Sequence, residues 1–180
     1  MKRVTTMSRI KALTVAVTVA VMAVSAASAT DYRDVRGDTK PAPDIIGVRV
    51  TDDANGRLSF RVHLTSPLGS KAGRVVGISV DSDRDVETGD EAGFDVTMAV
   101  DGRDVTYSKW RNGKLVSSSR LKGSRVLANG NTVTWSVPVA ELGADASFEF
   151  AVWTRYYLGA LELDGDDAPA GATWVYELQS

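Results

Sequence analysis

Seven acidic residues fall between Asp81 and Asp95: Asp81, Asp83, Asp85, Glu87, Asp90, Glu91 and Asp95, with Arg84 the one base among them. Carboxylates at that density repel one another unless a cation or a strong donor array sits among them. Asp81, Asp83 and Asp85 alternate, and Glu87 with Asp90 or Asp95 can join as the chain curls back, which supplies the hard oxygens that calcium takes about six to eight at a time. The segment is not an EF-hand loop, because Val86 stands where the sharp turn needs glycine and Ala92 where a bidentate glutamate belongs. The competing reading is a solvated acidic loop that only aids solubility; the concentration of carboxylates in one place favours the cation. Asp81, Asp83, Asp85, Glu87, Asp90 and Asp95 are therefore the predicted metal ligands, and Ca2+ the predicted structural cofactor. A second cluster, Asp164-Gly165-Asp166-Asp167, reads as a cap on the same site, another site, or a charged turn around Gly165.

Tryptophan offers a different chemistry. Alternation puts Trp135 with Val133 and Val137, and Trp174 with Tyr176 and Leu178, so both are predicted core. Trp110 shares its face with Asp104, Thr106 and Ser108, and Trp153 with Glu149 and Arg155. An exposed tryptophan among polar groups can stack on a sugar ring while its neighbours bond the hydroxyls. Trp110, Trp153 and Tyr156 are the predicted carbohydrate-contacting residues, on a face away from the acidic loop; packing at an edge is the alternative. His63 and Met98 invite comparison with haem ligation, but alternation points His63 outward and Met98 into the core.

No catalytic residue is predicted. Cysteine is absent, a Ser/His/Asp triad would have to use His63 without a recognisable nucleophile turn, and phosphate loops and zinc-ligand clusters are missing. Paired carboxylates for glycoside hydrolysis remain an alternative, although a cation among the acids would depress their pKa values and spoil a general acid.

Residues 1–29 read as a secretory signal: Lys2, Arg3, Arg9 and Lys11, an apolar stretch from Ala12 to Val24, then Ala27-Ser28-Ala29 as the cleavage site. Removing it leaves about 150 residues, enough for one domain with its own core, and no second apolar segment long enough to span a bilayer. The 21 basic residues less those four face 23 acidic ones, so the loop's acidic excess equals the net charge. The remaining surface is balanced in sum, with no basic excess for nucleic acid or an anionic membrane. An exported domain without disulfides needs another staple, and a cation bound only by the folded state is one.

These groups must be held by strands. Residues 30–44, with Lys40-Pro41-Ala42-Pro43, read as an extended lead-in, and the folded body, 45–180, is expected to begin at Ile45. Leu58, Phe60, Val62 and Leu64 alternate after the turn at Asn55-Gly56. Val75 to Val80 is a continuous apolar run leading into the acidic loop, and Val96, Met98 and Val100 alternate beyond it. Turn signals at Asp101-Gly102, Asn112-Gly113 and Asn129-Gly130 complete the pattern of an all-β, two-sheet antiparallel β-sandwich, jelly-roll or immunoglobulin-like, of about nine or ten strands. After Pro138 there is room for one turn of helix before Gly143.

In order along the chain, Asp34-Val35-Arg36-Gly37-Asp38 with Asp44-Ile45, Asp81-Ser82-Asp83 with Thr88-Gly89, Gly93-Phe94-Asp95, Glu141-Leu142-Gly143, and Asp167-Ala168-Pro169 with Gly171 and Trp174 form a set of landmarks. The set resembles exported bacterial β-sandwich domains distantly similar to DOMON domains and to the family 9 carbohydrate-binding modules. That resemblance implies a two-sheet sandwich, often with structural calcium. The expected function is that of a secreted or cell-envelope-associated, monomeric, non-enzymatic binding module whose partner is polysaccharide. The alternatives are a structural or protein-interaction domain meeting an envelope protein, and a small hydrolase.

Overall fold

The alternation through Leu58, Phe60, Val62 and Leu64 becomes a strand with those four residues buried to 1% exposure or less and the intervening Arg61 and His63 facing solvent. The same logic builds the molecule, for which a computed structural model describes residues 28–37, 39, 41–69, 73–102, 104–118 and 120–179. In chain order the described elements are β1 (Ser28–Arg33), β2 (Ile45–Asp52), β3 (Arg57–Leu64), β4 (Arg74–Asp81), β5 (Val96–Asp101), β6 (Asp104–Arg111), β7 (Lys114–Ser117), β8 (Arg125–Asn129), β9 (Thr132–Pro138), α1 (Val139–Leu142), β10 (Ser147–Leu158), β11 (Leu161–Ala168) and β12 (Trp174–Glu177). One sheet runs β1-β2-β3-β9-β8; the other runs β11-β10-β4-β5-β6-β7, with β12 also pairing β10. Every pairing is antiparallel. The fold is the expected β-sandwich.

Each sheet turns one face inward. Val48 and Val50 of β2, Val133, Trp135 and Val137 of β9, Val76, Ile78 and Val80 of β4, and Phe148, Phe150 and Val152 of β10 meet in one core. Its centre is aromatic. Phe60 of the first sheet lies 5.9 and 5.6 Å from the Phe148 and Phe150 rings of the second, and Tyr176 stands 5.5 Å from Phe148. Such a phenylalanine is worth about 3–5 kcal/mol against alanine. Asp52, buried on β2, accepts from the Tyr176 hydroxyl at 2.7 Å and from the Gln179 amide at 2.8 Å, so a charged hydrogen bond crosses between the sheets.

Two expectations are corrected. Among the described residues twelve strands form rather than nine or ten, and the extra ones lack an apolar period because they lie at edges: β7 and β8 are mostly exposed, and the outer half of β11 is exposed as well. The body also starts before Ile45. β1 lies in the expected lead-in and pairs along β2 from Ser28↔Asp52 to Arg33↔Gly47, while Tyr32 packs edge-on to Phe150 at 5.0 Å. The predicted signal, residues 1–29, lies outside the described residues except for Ser28 and Ala29, which open β1.

Candidate metal centre

Asp81 ends β4, and Asp95 stands just before β5. Because these strands are neighbours in register, Val80↔Val96, the acidic loop leaves and re-enters the sheet at one place. The Asp95 amide donates to the Val80 carbonyl at 2.9 Å. The loop thereby brings Asp81, Asp83 and Asp95 together, with one carboxylate oxygen of each within 4.8 Å of the others. Asp81 and Asp95 are buried and Asp83 is exposed.

The donors supplied to this cluster are few. Ser82 gives Asp95 Oδ2 its amide at 2.9 Å and its hydroxyl at 2.7 Å. Arg84, in the left-handed region at φ 61, gives Asp81 Oδ1 its amide at 2.6 Å. Thr88 Oγ1 lies 3.1 Å from both oxygens of Asp83, 2.9 Å from the Asp85 carbonyl and 3.3 Å from Asp95 Oδ1. The Asp85 amide donates to Asp83 Oδ1 at 3.0 Å. One hydroxyl has one proton, so at any moment Thr88 serves only one of its four acceptors. The Arg84 side chain turns away to Glu149 at 3.2 Å. Burial, followed by the charges of Asp95 and Asp83, raises the Asp81 pKa above the ordinary carboxylate value, against the opposing pull of the Arg84 and Asp85 amides. The lowered values expected of the loop belong to acids around a bound cation; burial and neighbouring carboxylates alone push Asp81 the other way. A hard cation at the cluster would relieve that repulsion, and the oxygen-only donor set suits one.

Of the six predicted ligands, then, three converge. Asp85 Oδ1 accepts from the Glu87 amide at 3.1 Å, and Asp90 Oδ1 from the Ala92 and Phe94 amides at 2.9 and 3.0 Å, so both shape turns of the loop. Glu87 is exposed and outside the cluster. The loop folds tightly on itself: a Cβ on Gly89 would stand 2.3 Å from the Gly93 carbonyl carbon. Its crest is bonded to the β6–β7 turn. The Gly113 amide donates to the Gly89 carbonyl at 2.9 Å, and the Asn112 amide to the Thr88 carbonyl. Ser82 and Thr88, which supply the hydroxyls, stand among the sequence landmarks but not among the predicted ligands; their alternation with the acids was the available signal.

A cavity of about 440 Å3 opens beside the cluster. Asp83, Thr88 and Asp95 line one part, Lys109, Trp110 and Asn112 another, and Leu142 and Gly143 close the helix side. Trp110 is thus next to the acidic loop, not on a face away from it as expected. Lys109 also pairs with Glu141 of α1 at 3.6 Å.

Trp153 is placed differently. It lies on the outer face of β10 against Gly77 of β4, where an added Cβ would be 2.2 Å from its ring, and its indole N–H donates to Ser79 Oγ at 3.1 Å. The Arg155 guanidinium sits over the ring, 5.5 Å from its centroid, held by Glu162 and Asp167. Strands β4 and β5 separate Trp153 from β6, and the register puts Trp153 level with Thr106, so the two tryptophan backbones stand about 20 Å apart. Tyr156, three residues on, is on the opposite side of β10 from Trp153. The predicted sugar contacts are therefore three separate sites.

The Asp164–Asp167 cluster serves the N-terminal segment. Asp164 Oδ2 accepts from Thr39 Oγ1 at 2.6 Å and the Ala42 amide at 2.9 Å, and Asp166 Oδ2 from the Ile45 amide at 2.7 Å. His63 is exposed on β3, and Met98 is fully buried on β5 of the other sheet. Comparison with known protein families, with curated proteins and with solved structures gives no match.

Proposed function

We propose that this chain is a secreted or envelope-associated, non-enzymatic binding module, in which calcium stabilises the loop from Asp81 to Asp95 and carbohydrate is contacted through Trp110. One observation carries the reading: Asp83 and Asp95, two of the three clustered carboxylates, line the same cavity as Trp110. One oxygen from each of the three carboxylates with Thr88 Oγ1 makes four, fewer than calcium's usual six to eight, so water or a ligand's hydroxyls in the cavity would complete the shell. The likeness of the ordered landmarks to exported sandwich domains supports the same reading. So does the lack of cysteine in a chain that opens like an exported one.

For a dissociation constant on the order of 0.1 mM, about 1 mM calcium adds roughly 1.4 kcal/mol to the unfolding free energy. Asp83→Asn, at an exposed position, is expected to abolish that gain while leaving metal-free stability within about 0.5 kcal/mol. Chemical denaturation with calcium and with chelator measures both, and curves that coincide sink the calcium reading. Retention on immobilised neutral polysaccharides should be lost in Trp110→Ala with the calcium response intact. If wild-type protein is retained on none of them, the structural or protein-interaction role takes its place.

The raised Asp81 pKa favours a hydrolase as second reading, since a general acid must hold its proton. Asp81 is only 5% exposed and does not line the cavity, which keeps a substrate from it. Turnover of a glycan or ester abolished by Asp81→Asn would establish that reading instead.

A further inference from the structure

The outer face of the five-stranded sheet gathers a charge that the balanced composition conceals. Strand alternation turns Arg33, Arg49, Arg57, Arg61 and Arg125 outward on this one face, together with His63, while Asp31 is the only acid the described strands place there. Every one of these bases is arginine. Between them lie hydroxyls: Thr51, Ser59, Thr132, Thr134 and Ser136.

The register makes a site within this face. One row across the sheet reads Asp31, Arg49, Arg61, Thr134, Leu127, so Arg49 and Arg61 are directly opposite on adjacent strands. Like charges so placed destabilise a sheet unless something negative lies between them. Asp31 answers only Arg49, holding its Nε and Nη2 at 2.7 Å each, whereas Arg61 has no ion pair or side-chain hydrogen bond among the described residues. Arg49, Thr51, Ser59, Arg61 and Thr134 surround a recess of about 130 Å3. The Arg61 fork and the N–H groups of Arg49 that Asp31 leaves over, with three hydroxyls beside them, match a tetrahedral or planar oxyanion.

We infer that this sheet face binds an anionic polysaccharide, with a sulfate, phosphate or carboxylate substituent of the glycan seated between Arg49 and Arg61. The surrounding side chains select that class of polyanion. Tyr32, Phe60 and Trp135 all turn into the core, so the described strands put no Phe, Tyr or Trp on this face for unpaired bases to stack on. Leu127 is its only large aliphatic side chain, too little to enter a lipid interface. Hydroxyls interleaved with arginine forks suit a chain that carries both hydroxyl and acidic groups. The inference is independent of the cavity at Trp110 and of calcium.

Affinity electrophoresis through gels containing dextran sulfate or neutral dextran, at about 0.1 M sodium chloride, tests it. Wild-type protein is expected to be retarded by dextran sulfate alone, and less so as salt rises. The Arg49→Ser, Arg61→Ser double variant should bind at least about tenfold more weakly with an unchanged unfolding midpoint. Arg61→Lys keeps the charge and the sheet but loses the fork, and should weaken retention several-fold. Asp31→Asn releases Arg49 and should strengthen it. Trp110→Ala should be retarded as wild type is. Equal retardation of the wild type and the double variant overturns the proposal. So does loss of retardation in Trp110→Ala, or binding of duplex DNA or anionic phospholipid vesicles as tight as that of dextran sulfate.

Discussion

Asp81 occupies the end of a buried strand with two more carboxylates within 4.8 Å, and its proton is the loop's most sensitive report on a cation. Its pKa is raised in the folded state, by burial first and then by Asp95 and Asp83. Between its ordinary value of 3.8 and the raised one, the folded chain therefore binds more protons at this site than the unfolded chain does. Asp81 thus costs the metal-free protein nothing below the ordinary value, and its destabilising contribution grows as pH rises through the raised value. Calcium needs the deprotonated form, so its stabilising effect should grow over the same window. Thermal unfolding of metal-free protein, with and without added calcium at pH 4 and pH 7, should show the larger calcium-induced shift at pH 7. Equal shifts would mean that calcium binds elsewhere. The tryptophans diverge in a similar way: Trp110 borders an opening, whereas Trp153 is wedged between Gly77 and Arg155.

Two glycines separate the loop from the sheet that carries it. Gly89→Ala drives a methyl into the Gly93 backbone, and Gly77→Ala drives one into the Trp153 ring, each expected to cost about 1–3 kcal/mol. Only Gly89→Ala should also abolish the calcium response, as calorimetry on both variants would show; a calcium response lost in Gly77→Ala would tie the loop to the outer face of β10. The strands that could be read from residue type were those with one face in the core, such as β3, β5 and β9, because burial imposes the period of two; β4, buried on both faces, reads instead as a continuous apolar run. β1, β7, β8 and β11 escaped notice because an edge strand leaves much of itself in water and need not alternate. Within the loop, the cation-like crowding of acids was legible. Which acids converge was not, since that depends on the β4–β5 register and on the turns that Asp85 and Asp90 cap. The placement of Trp110 beside the loop depends likewise on β6 pairing with β5, a contact between distant parts of the chain.

The two sheets are joined by the aromatic core and by the buried Tyr176–Asp52 hydrogen bond. Tyr176→Phe leaves one oxygen of a buried carboxylate short of its donor and should lower the unfolding free energy by about 1–3 kcal/mol in urea, with calcium response and dextran sulfate retention unchanged. No loss would show that the aromatic packing alone holds the sheets together. Composition summed the charges and found balance outside the loop, but antiparallel register sorts side chains by face, and a sum over the chain does not see that sorting. The sorting has a consequence at long range. With its densest group of acids at one end of one sheet and five arginines on the outer surface of the other, the molecule divides its charge unevenly between two regions. Near a negatively charged matrix such a body turns before it touches. It would settle with the five-stranded sheet against the matrix and the acidic loop held outward, so its orientation is set before any single contact forms.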